Sequence, residues 1–217
     1  MPKRLTLTFD NGPWPGATET VLAFLAERKL FATFFVVGAL LDDPDTRALA
    51  ERAVSEGHWI GNHTLTHGAP LGGKDGARRF LDEIGLAQKK LGTLAHPRKF
   101  FRPNGGGALG THLLCPEAVN YLAQNGFTVV TWTSAPGDWL PPHRDWMEGA
   151  LADLARDNWT VLVLHDRFIA PQIDVLARFC DEAQSMGVEF VQDFPKSCLP
   201  IENGLVRDAT EKITTFA

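Results

Sequence analysis

Cysteine is scarce, with three in 217 residues: Cys115, Cys180 and Cys198. They are too few and too scattered for a disulfide framework or a four-sulfur zinc site, and are expected as reduced thiols. No block of basic residues stands out, and the formal charge is −5, from 21 basic and 26 acidic side chains. Nucleic acid and anionic membrane surfaces are therefore not expected partners. No apolar run approaches membrane-spanning length, and Met1-Pro-Lys-Arg4 leads straight into the first apolar run with no secretory h-region. The expectation is a cytoplasmic chain without a membrane partner. Internal repeats, low-complexity stretches and linkers are also missing, and oligomeric state has no signature here.

What is present fits a single α/β domain. At 44% hydrophobic and 22% charged, a chain of this length buries a full core without staples. Leu5-Thr-Leu-Thr-Phe9 alternates as a strand, and Thr8-Phe-Asp-Asn-Gly-Pro13 ends it in a turn. Thr18 is placed to cap a helix carrying Val21, Leu22, Leu25 and Ala26 at helical spacing. The continuous run Phe31–Val37 reads as a strand covered on both faces. A helix follows over 44–56, with Leu49, Ala50, Ala53 and Val54 inward. Further strands are expected at 58–61, 99–102, 127–132, 160–164 and 188–191. Helices fill 74–91 (Phe80, Leu81, Ile84, Ala87 and Leu91 on one face), 116–124, 144–156 and 171–185. Beyond Phe194 the periodicity is lost and loops are expected. About seven strand–helix alternations predict a parallel sheet or barrel. The domain is bounded at 1–200, with 201–217 as a C-terminal extension whose Leu205, Val206, Ile213 and Phe216 pack on the same barrel or on a second subunit.

Four chemically loaded stretches end strands of this pattern. His63 and His67, at i and i+4, would share one side of a helical turn and grip one metal ion. A catalytic zinc takes three protein ligands, and the third candidate is Asn11 or Asp10. The competing reading is two solvated histidines in a polar loop. His165 ends an apolar strand and suits general acid or base work; a partly buried, backbone-bonded histidine is the plainer alternative. Asp138 offers a carboxylate to orient an imidazole, and Trp139 an aromatic wall, although a tryptophan is more often core. Arg102, before the glycines at 105, 106 and 107, can pair with Asp10 or form an ordinary surface ion pair.

Order and spacing together are similar to the NodB-type polysaccharide deacetylases, the family-four carbohydrate esterases. Thr8-Phe-Asp-Asn-Gly-Pro13, His63-Thr-Leu-Thr-His67, Phe101-Arg-Pro-Asn-Gly-Gly106, Ser134-Ala-Pro-Gly-Asp-Trp139 and Val161-Leu-Val-Leu-His-Asp166 resemble that family's five motifs in order. The resemblance implies an α/β fold, a single-domain distorted (β/α) barrel of about seven βα units. It implies a hydrolase removing a small acyl group, acetyl above all, from the nitrogen of an amino sugar or related N-acyl compound. By the same resemblance Asp10 is the general base, Arg102 its partner, His165 the general acid and Asp138 the group that tunes it. Asn11, His63 and His67 hold a divalent metal, zinc by preference. The backbone N–H of Gly105 serves the oxyanion, and Trp139 and the apolar residues before His165, Leu164 first among them, enclose the acyl methyl.

The chain departs from that pattern at Asn11, where an aspartate is usual, so metal affinity is expected to be weakened. Asn104 and Gly105 replace a proline and a ring, which opens the pocket floor, and Ser134 replaces an aspartate. Two further readings stay open: a metal-independent, allantoinase-like amide hydrolase, and a non-catalytic carbohydrate-binding relative.

Overall fold

Alternation along the first strand sets the architecture. In β1 (Arg4–Asp10), Leu5, Leu7 and Phe9 enter an apolar layer that includes the inner faces of the helices, so Thr6, Thr8 and Asp10 point to the opposite face. The protein is described by a computed structural model covering residues 2–141 and 145–215. After β1 come α1 (Ala17–Arg28), β2 (Ala32–Val36), α2 (Pro44–Ser55) and β3 (Trp59–Asn62). One interrupted helical stretch then runs through α3 (Gly76–Phe80), a π-helical segment (Leu81–Leu86) and α4 (Ala87–Leu91). β4 (Phe100–Phe101), α5 (Pro116–Gln124), β5 (Thr128–Val129), α6 (Trp146–Arg156) and β6 (Trp159–Leu164) follow. The chain closes with α7 (Asp166–Ile169), α8 (Ile173–Ser185), β7 (Glu189–Phe190), β8 (Ile201–Glu202) and β9 (Leu205–Val206).

The strands form one curled, mixed nine-stranded sheet in the order β6-β1-β2-β3-β4-β5-β8-β9, with β7 pairing the first residues of β1. The pairs from β6 through β5 are parallel, and those of β8 with β5 and β9 are antiparallel. A parallel bridge between Ser134 and Leu162 brings the chain after β5 back to β6 and rolls the sheet towards a barrel. The alternation left sheet or barrel open, and the distorted (β/α) barrel that the family resemblance implied is the one observed. Parallel strands of the roll aim their C-terminal ends at one rim, where Asp10, Asn62 and Leu164 stand.

Several local expectations change. Thr18 lies inside α1 and caps nothing; Gly16 precedes the helix, and the Thr18 hydroxyl donates to buried Asp166. Ala26 and Val54 face solvent. Leu81, expected inward, is exposed at the start of the π-helical segment, while Ile84 is buried as expected and Glu83 is buried beside it. The strand expected over 127–132 is regular only at Thr128–Val129. The loops expected beyond Phe194 contain β8 and β9, so the stretch from Ile201 packs on the chain's own sheet. The helix start expected at Arg144, and Phe216, lie outside the described residues. All three cysteines are free and buried. Among the described residues, no helix is long and apolar enough to cross a membrane.

Candidate active site

Asp10 ends β1 on the face opposite the helices, and Arg102 approaches it from the end of β4. The ladder continues one residue past β4, through the Arg102 N–H bond to Asn62 O (2.9 Å), which draws Arg102 into the roll. Its side chain is fully buried. Nη1 donates to Asp10 Oδ1 (2.8 Å) and to the Thr8 hydroxyl (2.7 Å), Nε donates to Val130 O (3.3 Å), and the guanidinium lies 4.0 Å over the Phe35 ring. Burial pulls the Arg102 pKa down and the Asp10 charge pulls it back up. Of the two readings, the pair with Asp10 is the one formed, and it is buried, so that its rupture leaves an uncompensated charge.

His63 and His67 converge, but not on a helical turn. Residues 63–67 form an irregular loop in which Thr64 (φ 68°) and His67 (φ 52°) hold left-handed backbone, and the two rings sit 5.0 Å apart. His63 Nδ1 lies 2.9 Å from Arg102 O. A carbonyl only accepts, so Nδ1 carries the hydrogen and the Nε2 lone pair faces out, 3.7 Å from Asp10 Oδ2. Burial first of all lowers the His63 pKa to about 4, so no proton sits between these two acceptors near neutrality. Burial also lowers the pKa of His67. Asn11 adopts φ 71°, and its Oδ1 is buried without a hydrogen-bond partner.

His165 follows β6, and since Leu164 pairs with Phe9 it stands beside Asp10 at the same rim. Asp138 grips it twice, accepting the backbone N–H at Oδ2 (2.8 Å) and pairing Oδ1 with the ring at Nδ1 (2.9 Å). The carboxylate places the hydrogen on Nδ1 and leaves Nε2 for the pocket. Burial is the largest single influence and lowers the His165 pKa. The Asp138 hydrogen bond and the charges of Asp138, Asp10 and Asp166 outweigh it, so the net shift is upward.

A cavity of about 290 Å³ joins these groups. Asp10, Asn11, His63, His67 and His165 line its polar side, and Trp132, Ala135, Trp139, Val163 and Phe168 its apolar side. Trp139 packs edge-on to the His165 ring, with centroids 5.1 Å apart. Gly105, Gly106 and Gly107 also line it, and the Trp132 indole N–H donates to Gly107 O (3.0 Å). A Cβ at Gly105 would lie 2.2 Å from Leu113 Cδ2, so the floor expected to open at this glycine is filled by the Leu113 side chain, which would have to move to admit another.

Leu164 is the one sequence-assigned site residue that the structure sends elsewhere. It is fully buried in the layer between sheet and helices, because it shares the face of Leu162 along β6. Val163, on the opposite face, takes the pocket position. Trp132 and Phe168 went unassigned in sequence; Val163 belongs to the apolar run before His165, whose continuous pattern does not mark which of its residues faces the pocket.

A model of the polysaccharide deacetylase family matches residues 1–131. A chitooligosaccharide deacetylase from Sinorhizobium fredii is 34% identical over 162 residues, 74% of this chain and 70% of its own. The chain belongs to the polysaccharide deacetylase family. It is an enzyme of that family, built to cleave the carbon–nitrogen bond of an amide. A peptidoglycan-N-acetylglucosamine deacetylase from Bacillus cereus is 28% identical over 87% of this chain and 85% of its own. Among solved structures, a family 4 acetyl xylan esterase from Clostridium thermocellum, in complex with a cobalt ion, superposes with a TM-score of 0.71 at 28% identity. It covers 94% of this chain and 97% of that one.

Deacetylases of this family are generally metal-dependent. Among the described residues, no three His, Cys, Asp or Glu side chains cluster to hold an ion. Two neutral imidazoles and the amide oxygen of Asn11 nonetheless suit one. The buried Asn11 Oδ1 lacks a donor, and the His63 lone pair faces the Asp10 carboxylate with no proton between them.

Proposed function

We propose that the enzyme removes acetyl groups from N-acetylglucosamine units of an oligosaccharide, with a divalent ion held by His63, His67 and Asn11. The observation that carries this reading is that Asp10 and His165 stand side by side at the ends of neighbouring strands and line one cavity, each oriented by a buried partner of opposite charge. The relatives named for chitooligosaccharide and peptidoglycan N-acetylglucosamine give the substrate class.

Asp10 acts as base. Arg102 occupies its Oδ1, and Oδ2 on the His63 side remains to take the proton of an attacking water. His165 acts as acid, its Nδ1 hydrogen held by Asp138 and its Nε2 proton delivered to the departing amine. Without that proton the nitrogen would leave as a poor anion. A bound divalent ion contributes Lewis acidity, acidifying water and polarising the amide carbonyl. Trp139 and Val163 exclude water beside the acetyl methyl, and Gly105, which lines the cavity, is the residue whose backbone N–H would serve a developing oxyanion.

The test is acetate release from N-acetylglucosamine oligomers of increasing length, by zinc-loaded and by chelated protein. Release that requires metal supports the reading. Zinc-loaded protein that releases no acetate from any of them overturns it. Release that persists in full after chelation would favour the metal-independent chemistry that the neutral Asn11 permits.

A further inference from the structure

Glu83 takes no part in the chemistry above, yet it is 7% exposed and its carboxylate is fully engaged. It sits in the π-helical segment and faces the loop that carries the two histidines. Oε2 accepts the backbone N–H groups of Leu65 and Thr66, each at 3.0 Å, and Oε1 accepts the Thr66 hydroxyl at 2.6 Å. Neighbouring Asn62 completes the arrangement: Oδ1 accepts the Thr64 N–H (2.9 Å), while Nδ2 donates to Ile84 O (3.0 Å). The N–H of His67 goes to the Thr64 hydroxyl (3.0 Å). Four successive amides, from Thr64 to His67, are thus served by side chains instead of a regular ladder.

The loop cannot hold this shape by itself. A β-branched residue such as Thr64 rarely adopts left-handed backbone, and strained conformations persist only where surroundings over-determine them. The surroundings here are Glu83 and Asn62, with Glu83 buried beside Ile84 in the π-helical segment where Leu81 turns out.

We propose that Glu83 is a positioning residue that shapes loop 63–67 so that His63 and His67 present both imidazoles to one divalent cation. The proposal deepens the metal reading above and rests on it, but the order of the loop can be measured without metal. Glu83→Gln keeps the geometry: an amide oxygen can accept both N–H groups, and its NH₂ can donate to the Thr66 hydroxyl. Glu83→Asp keeps the charge but withdraws it by one methylene. Glu83→Ala removes both.

Zinc titration calorimetry and hydrogen exchange on zinc-free protein give the two readouts. Glu83→Ala and Glu83→Asp are expected to lose about 10–100-fold in zinc affinity, with Glu83→Gln within about threefold of the parent. The Leu65 and Thr66 amides should exchange faster in the Ala and Asp variants and at the parental rate in Gln. If Glu83→Ala fails to fold, the Asp and Gln pair decides alone. Parental zinc affinity and exchange in Glu83→Asp overturn the proposal, as does a Gln variant as weak as Asp, which would make charge the active property. A parent that binds no zinc removes the metal-presenting role and the metal reading together, whereas a parent that binds zinc alongside unaffected variants removes only Glu83.

Discussion

Asn11 combines a left-handed backbone with a buried amide oxygen that no protein donor meets. Replacing it with aspartate retains a residue type tolerated at that φ and adds a full negative charge beside the histidine pair. Asn11→Asp is therefore expected to tighten zinc binding by at least about tenfold, roughly 1.4 kcal/mol, by calorimetric titration. An unchanged affinity would exclude Asn11 from the ligand set. His165 carries the second prediction at this scale. Its net pKa lies above the usual 6.5, because Asp138 and the more distant carboxylates outweigh burial. The acid must be protonated, so kcat/KM should hold below that raised pKa and fall as pH rises through it. Asp138→Asn should move the fall to lower pH. His165→Ala should lower kcat by about 10²–10⁴-fold with zinc stoichiometry unchanged. Undiminished turnover in that variant would remove His165 from the mechanism.

Strand β6 shows how far one element can be read and where reading stops. Its apolar run and terminal histidine were legible from composition, but the run Val161-Leu-Val-Leu164 gives no polar residue to mark which face is which. The sheet resolves it: Leu162 and Leu164 pack with the helices, Val161 and Val163 opposite. Leu164→Ala should then cost about 2–5 kcal/mol of stability, measured by denaturant unfolding, with KM unchanged. Val163→Ala should shift KM at a smaller stability cost. The reverse pattern would return Leu164 to the pocket. Asp10, Arg102, His63, His67, Asp138 and His165 were all legible because motif order brings strand ends to one rim. Glu83 was not, because at the edge of that helical face an apolar residue such as Leu81 reads as inward and a carboxylate as solvated, whereas in the π-helical segment Leu81 is exposed and Glu83 is buried on the histidine loop. The loop conformation of 63–67 was hidden for a related reason: i, i+4 spacing fits a helix, and the side chains that replace its hydrogen bonds lie at Asn62 and Glu83.

At the scale of the molecule, seven alternations made a parallel sheet legible and the motif order added its curvature, but its finish at the β5 edge was not legible. Loss of periodicity beyond Phe194 reflects two-residue strands too short to show alternation. Those strands cover an edge: Ile201 pairs with Val129, and the Leu114 N–H donates to Ile213 O (3.0 Å). Ile201 and Ile213 are both buried, and the Thr215 hydroxyl reaches Gly72 O (2.9 Å) and Thr111 O (2.6 Å). Deleting residues 201–217 therefore removes two core isoleucines, worth about 1.5–3 kcal/mol each, and leaves the β5 edge unpaired. At about 2–4 °C per kcal/mol for a domain of this size, the midpoint of thermal unfolding should drop by about 6 °C or more. The loss should reach the site as well. Leu113 lies directly against Gly105 at the pocket floor, and its neighbour Leu114 is anchored by Ile213 and Thr214. KM should rise in the truncated enzyme while zinc affinity holds, since the histidine loop takes its support from Asn62 and Glu83. A truncated enzyme with the parental midpoint and KM would mean that the sheet edge and the pocket floor are both held without this segment.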